Sequence, residues 1–174
     1  MTVTIDGSAG VTTNSGAVYN GLITGTAVTL TTQTAVDFTS IPSWVKRISV
    51  IISGLTSSST SGILVQIGST TFTTSGYLGS AVELRATPSA TAFTAGFGIS
   101  GSPVAGNLIY GIMTISNITG NTWVSSVSFG GSTAVYAYAG GGRLALSGVL
   151  DRVRLTTVNG TDTFTAGSVN IMYE

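Results

Sequence analysis

Two short stretches carry the side chains best placed to do chemistry. In Tyr136-Ala137-Tyr138 a small residue separates two phenols, and on a β-strand rings two positions apart project from one face. Such a pair can stack on a sugar ring or anchor a partner, and the following Ala139-Gly140-Gly141-Gly142 reads as a flexible loop that lets a ligand come close. Packing in a core or an interface is the competing reading of the same rings. Asp151-Arg152-Val153-Arg154 is the densest charge cluster, with both guanidinium groups on one strand face. It reads either as a salt-bridged strand start, paired with Asp162 or with Lys46-Arg47, or as an anchor between subunits. The other polar aromatics, Trp44, Trp123, Tyr77, Tyr110 and Tyr173, are expected mostly to fill a core.

The remaining motifs are weak. Gly96-Phe97-Gly98-Ile99-Ser100-Gly101 matches the dinucleotide fingerprint, but Pro103 follows it, no helix opens there and no acid lies about 20 residues on, so it reads as a glycine-rich strand and turn. Asn117-Ile118-Thr119 and Asn159-Gly160-Thr161 fit the glycosylation acceptor and are read as turns. Asp6, Asp37, Glu83, Asp151 and Asp162 are scattered singly, without the spacing of a calcium loop or a sequence-adjacent carboxylate pair. The chain has no cysteine and no histidine, which removes thiolate chemistry and the commonest general base and metal ligand. No cofactor and no metal site is expected, and the chain reads as a non-enzyme.

Composition narrows the class further. Only 7% of the 174 residues are charged, six of each sign, where an average domain has about a quarter. Their place is taken by 24 glycines and by Ser and Thr at roughly 30% of the chain. A neutral chain without a basic patch offers nothing to nucleic acid, and its hydrophobic content argues against disorder. No apolar run is long enough to span a membrane, and the N-terminus lacks the pattern of a secretory signal.

These residues must be positioned by strands. Short Val-, Ile-, Thr- and aromatic-rich runs alternate with period two and are separated by Gly, Ser and Asn clusters. Arg47–Ser53 reads as one strand, Thr56–Gly62 as a hairpin tip and Ile63–Ile67 as the returning strand. Further runs are 70–74, 92–99, 107–118, 122–129, 133–138, 142–146, 152–158 and 168–173. Gly120-Asn121 and Asn159-Gly160 supply tight-hairpin chemistry. Ser80–Arg85 is the best helical turn. The spacing predicts an all-β, antiparallel β-sandwich of jelly-roll type with about nine to eleven strands. Residues 1–25 read as an irregular N-terminal arm or short strand, and residues 26–174 as the sandwich. Soluble monomers protect sheet edges with Lys or Pro, and one Lys with three Pro is a small supply. The edges are therefore expected to be covered in a homo-oligomer, a trimer by preference.

Ile41-Pro42-Ser43-Trp44-Val45-Lys46-Arg47-Ile48-Ser49-Val50, with Ile63-Leu64-Val65-Gln66-Ile67-Gly68 and Gly76-Tyr77, resembles a pattern in small virion proteins of tailed bacteriophages, tail-fibre and minor tail proteins among them. The closing segment from Asp151-Arg152-Val153-Arg154 through Asn159-Gly160-Thr161-Asp162 to Tyr173-Glu174 is similar to theirs, as is the opening from Ile5-Asp6-Gly7 to Val18-Tyr19-Asn20-Gly21. The likeness covers a little over half the chain. It implies a structural or adhesive β-sandwich, located in the virion after assembly in the host cytoplasm, whose partners are itself, other virion proteins and a host-surface glycan. It carries over no site residue, because what is shared is strand and turn chemistry. Heptads and repeats that would build a shaft are missing, which favours a short fibre or receptor-binding domain over a long fibre. A capsid decoration protein is the main alternative, and a glycan-cleaving enzyme ranks well below both.

Overall fold

The computed structural model describes residues 21–174 and, within the first twenty, the backbone of residues 3–6, 10–13 and 18–19. In chain order the strands are β1 (Val3–Asp6), β2 (Gly10–Thr13), β3 (Val18–Tyr19), β4 (Ile23–Thr24), β5 (Val28–Thr29), β6 (Ala35–Thr39), β7 (Arg47–Ser57), β8 (Ile63–Ser69) and β9 (Thr71–Phe72). They continue as β10 (Leu78–Leu84), β11 (Ser89–Phe93), β12 (Phe97–Ser100), β13 (Ile109–Thr119), β14 (Thr122–Gly131), β15 (Ala137–Ala145), β16 (Arg152–Thr157) and β17 (Phe164–Tyr173). No helix occurs among the described residues. The protein is an antiparallel, all-β sandwich.

One layer is a nine-stranded sheet in the order β11-β10-β15-β14-β13-β7-β17-β4, with β5 also paired to β17. The other is five-stranded, β12-β8-β16-β6 with β9 on β8. Strands β1 to β3 pair with one another in a third, small antiparallel sheet. The expectation of an N-terminal arm falls partly on residues outside those described. Of the 1–25 segment, β4 joins the large sheet through Ile23 opposite Tyr173.

Alternation builds the core. Ile48, Val50 and Ile52 of β7, with Met113 and Ile115 of β13, are buried on the inner side of the large sheet. They belong to one cluster with Ile63, Val65 and Ile67 of β8 and Val153 and Leu155 of β16. Residues between them in sequence, such as Ser49, Ile51 and Thr114, are less buried, as a strand covered on one face requires.

Five local expectations are overturned. Strands β7 and β8 lie in different sheets, so the Ser-rich segment between them is a crossover rather than a hairpin tip. It is pinned to the β16–β17 connection: Ser58 N–H donates to the Thr163 carbonyl (2.8 Å) and Ser61 N–H to Asp162 Oδ2 (3.1 Å). The strand itself runs past Gly54 to Ser57, because Gly54 takes φ 68° and forms a bulge opposite β17. Asn159-Gly160 likewise turns between sheets and closes no hairpin, since β16 and β17 do not pair. Gly120, at φ 51°, does close the β13–β14 hairpin.

Ser80–Arg85, expected as a helical turn, lies mostly in β10, held on both sides by β11 and β15. Ala139-Gly140-Gly141-Gly142, expected as a loop, is the middle of β15 between β10 and β14. These glycines serve close approach: a Cβ on Gly140 would stand 2.5 Å from the Ser80 carbonyl oxygen, and one on Gly142 would meet the Phe97 ring at 3.0 Å. Where the large sheet meets β12, Leu64, Ala81 and Phe93 make a second small core.

Candidate functional site

The two tyrosines part company in the structure. Tyr138 lies in β15 and is 1% exposed, its hydroxyl accepting a hydrogen bond from Asn107 Nδ2 at 3.0 Å. Burial raises its phenol above the ordinary tyrosine range, with the Asn107 bond acting in the opposite direction. Asn107 Oδ1 accepts from the Thr133 and Ala134 N–H groups at 3.1 and 2.9 Å, so this amide ties the loop before β15 to the ring beneath it. Tyr138 is thus a wall of the core and cannot touch a ligand. Tyr136, just before the strand, is partly exposed and leans on it edge to face, 6.4 Å between centroids.

What joins Tyr136 at the surface is Arg85, which follows β10. Its guanidinium carbon lies 5.7 Å from the Tyr136 ring centroid. The two side chains, with Ala86, Thr87, Pro88 and Ser89, line an open concavity of about 430 Å³. Beneath it is Glu83, whose side chain is 3% exposed. Glu83 Oε1 accepts from Ser100 Oγ (2.6 Å) and from Ser102 N–H (2.9 Å). Its Oε2 makes no hydrogen bond and faces Arg85 Nη1 at 3.4 Å, beyond good hydrogen-bond length. The buried carboxylate therefore fixes the arginine electrostatically without using up its N–H donors. A ring face, a guanidinium and flanking hydroxyl residues make a shelf suited to a hydroxylated or acidic ligand of sugar size.

Sequence reasoning named Glu83 only as a scattered acid and passed over Arg85. Alternation gives no signal there, because in β10 Ala81 and Glu83 face inward while the more apolar Val82 and Leu84 face outward. The dinucleotide-like stretch is the strand β12, and its glycines admit neighbours: a Cβ on Gly98 would come within 2.1 Å of the Phe93 ring and one on Gly101 within 2.0 Å of Thr91 Oγ1. Asn159 is a turn residue, its Oδ1 accepting from Thr161 N–H, whereas Asn117, expected in a turn, is paired with Trp123 inside β13 and only its Nδ2 reaches the turn, donating to the Gly120 carbonyl.

The charge cluster forms ion pairs, though with neither partner foreseen. Arg152 pairs with its neighbour Asp151 at 2.7 Å, and Arg154 binds Asp37 of β6 through two bonds of 2.7 Å. Both guanidinium groups lie by the Phe72 ring, Arg154 at 4.0 Å and Arg152 at 5.6 Å. Asp151 also accepts from Thr70 N–H at 3.1 Å, holding the strained β8–β9 turn where Thr70 has φ 61°. The Arg152 contact, helped by Thr70, lowers the Asp151 carboxyl below its ordinary range. The cluster is a self-satisfied patch on the outside of the five-stranded sheet.

Among the other aromatics, Trp123 and Tyr77 are core residues, and Tyr77 bridges β8 and its following turn by accepting from Ile67 N–H at 2.8 Å. Trp44 packs against Tyr173 at 6.1 Å, while Tyr110 stands on the outer face of the large sheet. Among the described residues, no three acidic side chains gather as a metal site would require, and each acid has a local partner: Asp37 with Arg154, Glu83 with Arg85, Asp151 with Arg152, Asp162 with Asn159 and Glu174 with Arg47. No protein-family model, curated protein or solved structure matched this chain.

Proposed function

We propose that the protein is a non-enzymatic structural component of a tailed-phage particle, acting as a short tail-fibre or receptor-binding domain that adheres to a host-surface glycan as a symmetric homo-oligomer. The Tyr136–Arg85 shelf is the observation that carries the adhesive part of this reading, because it offers an aromatic ring and a guanidinium without a hydrogen-bond partner among the described residues, side by side where β10 ends and β15 begins. A shallow site of this kind binds weakly alone and gains strength when copies are linked. The engagement of each described acid in a structural pair supports a binding role over hydrolysis, which needs two acids at a controlled separation. A jelly-roll relation is supported by the strand order, since β12-β8-β16-β6 stands opposite β11-β10-β15-β14-β13-β7 and the chain crosses repeatedly between the layers.

The test is binding of the purified chain to bacterial cell surfaces, competed by free lipopolysaccharide oligosaccharide. Arg85→Ala and Tyr136→Ala are each expected to weaken binding by about tenfold or more, the effect of about 1.4 kcal/mol. Unchanged binding by both variants would reject the shelf. Binding to empty capsids and not to cells would replace adhesion by capsid decoration.

A further inference from the structure

We propose that the outer face of the nine-stranded sheet is a contact surface for a second copy of this chain, packed face to face about a two-fold axis parallel to the strands. This rests on the reading that the protein assembles with itself, and it names the surface.

The face spans six adjacent strands, β10-β15-β14-β13-β7-β17. At about 4.8 Å per strand and about 3.4 Å per residue over Tyr110–Ser116, it measures about 29 by 24 Å, or roughly 700 Å² per copy. Two such faces bury about 1,400 Å², within the range of a stable specific interface. Its central rows carry no charge. Register places Ile51, Ile112, Ser128 and Ala139 in one transverse row, and Ser49, Thr114, Ser126 and Gly141 in the next. The charged side chains of the face, Arg47 and Arg143, sit at one end, where Glu174 already pairs with Arg47.

Chemistry and relief both favour a second copy as the occupant. A two-fold contact requires a patch to complement itself. Hydroxyls do so in any pairing because each donates and accepts, whereas a carboxylate or guanidinium needs an opposite charge facing it. Strand β13 forms a ridge, with Tyr110 41% and Ile112 46% exposed, beside a trough of Ser128, Gly130 and Ala139 on β14 and β15. An axis between β13 and β14 lays each ridge in the other copy's trough, Ile112 over Ser128 and Tyr110 over Gly130, since these are register partners; at the far end it lays Arg47 over the other copy's Arg143, where the Glu174 carboxylate beside Arg47 supplies the counter-charge. Sheets packed this way interdigitate as sandwich layers do.

Sedimentation equilibrium at micromolar concentration tests it. The unmodified chain is expected at twice the 17.5 kDa of one copy. Ile112→Glu and Ser128→Arg, at outward positions, are each expected at the single-chain mass with an unchanged far-ultraviolet dichroism spectrum. A single-chain mass for the unmodified protein overturns both self-assembly and this face. A dimer that persists in both variants, or a trimer, overturns the face and leaves self-assembly standing.

Discussion

Replacing Tyr138 with Phe should weaken the fold while leaving the candidate ligand shelf intact. The ring and its packing stay, so the apolar burial is unchanged. What is lost is the only hydrogen bond of Asn107 Nδ2 among the described residues, an amide on a residue 2% exposed, while Asn107 Oδ1 keeps the Thr133 and Ala134 N–H groups. A buried donor left without an acceptor costs about 1–3 kcal/mol. At about 2–4 °C per kcal/mol for a chain of this size, a midpoint loss of about 4–8 °C corresponds to the centre of that range. Tyr136→Phe is the control, because Tyr136 is partly exposed and its hydroxyl has no partner among the described residues, and its effect should stay within about 0.5 kcal/mol. Urea unfolding followed by the fluorescence of buried Trp123 reads both variants. The same phenol gives a pH signature. Its folded-state pKa lies above the ordinary 10.0, so the unfolded chain ionises first and stability falls as pH rises beyond about 10. Tyr138→Phe should reduce that alkaline loss, with the remainder coming from Tyr77, which burial also raises. A Tyr138→Phe protein as stable as the unmodified one, with Tyr136→Phe destabilised instead, would refute the assignment of Tyr138 to the core.

Two further outcomes follow from the packing and the charges. Gly98→Val should displace the Phe93 ring and cost about 1–3 kcal/mol, and because both residues share one contact its effect should not add to that of Phe93→Ala in a double-mutant cycle by urea unfolding. The folded Asp151 carboxyl is held below its ordinary 3.8, so its contribution is present above that value and is lost as pH falls through the lower folded value; Asp151→Asn should flatten the acid limb of a stability–pH curve and loosen the Thr70 turn to hydrogen exchange.

The candidate site was half legible. Tyr136 could be singled out because a phenol next to a small residue is visible in any reading, and the cluster at Asp151 to Arg154 because charges are rare in this chain. Arg85 could not be joined to Tyr136 by spacing, since β10 and β15 become neighbours only through a pairing that brings Leu84 opposite Ala137. Phe72, which both arginines of the cluster contact, comes from a two-residue strand too short to leave a periodic trace.

The sequence by itself determined that the chain is built of one-face-covered strands, because the period-two alternation of Ile48, Val50 and Ile52 or of Val153 and Leu155 depends only on which side of a pleat is buried. It also determined that charge would be scarce over the chain as a whole. Which strand pairs with which was decided by the tertiary structure: the same alternation suits a hairpin or a crossover, so β7 and β8 could be read as partners although they lie in opposite layers. The same holds for Glu83, an isolated acid in sequence, whose burial beneath Arg85 exists only because Ser100 and Ser102 arrive from the other sheet edge to hold its carboxylate.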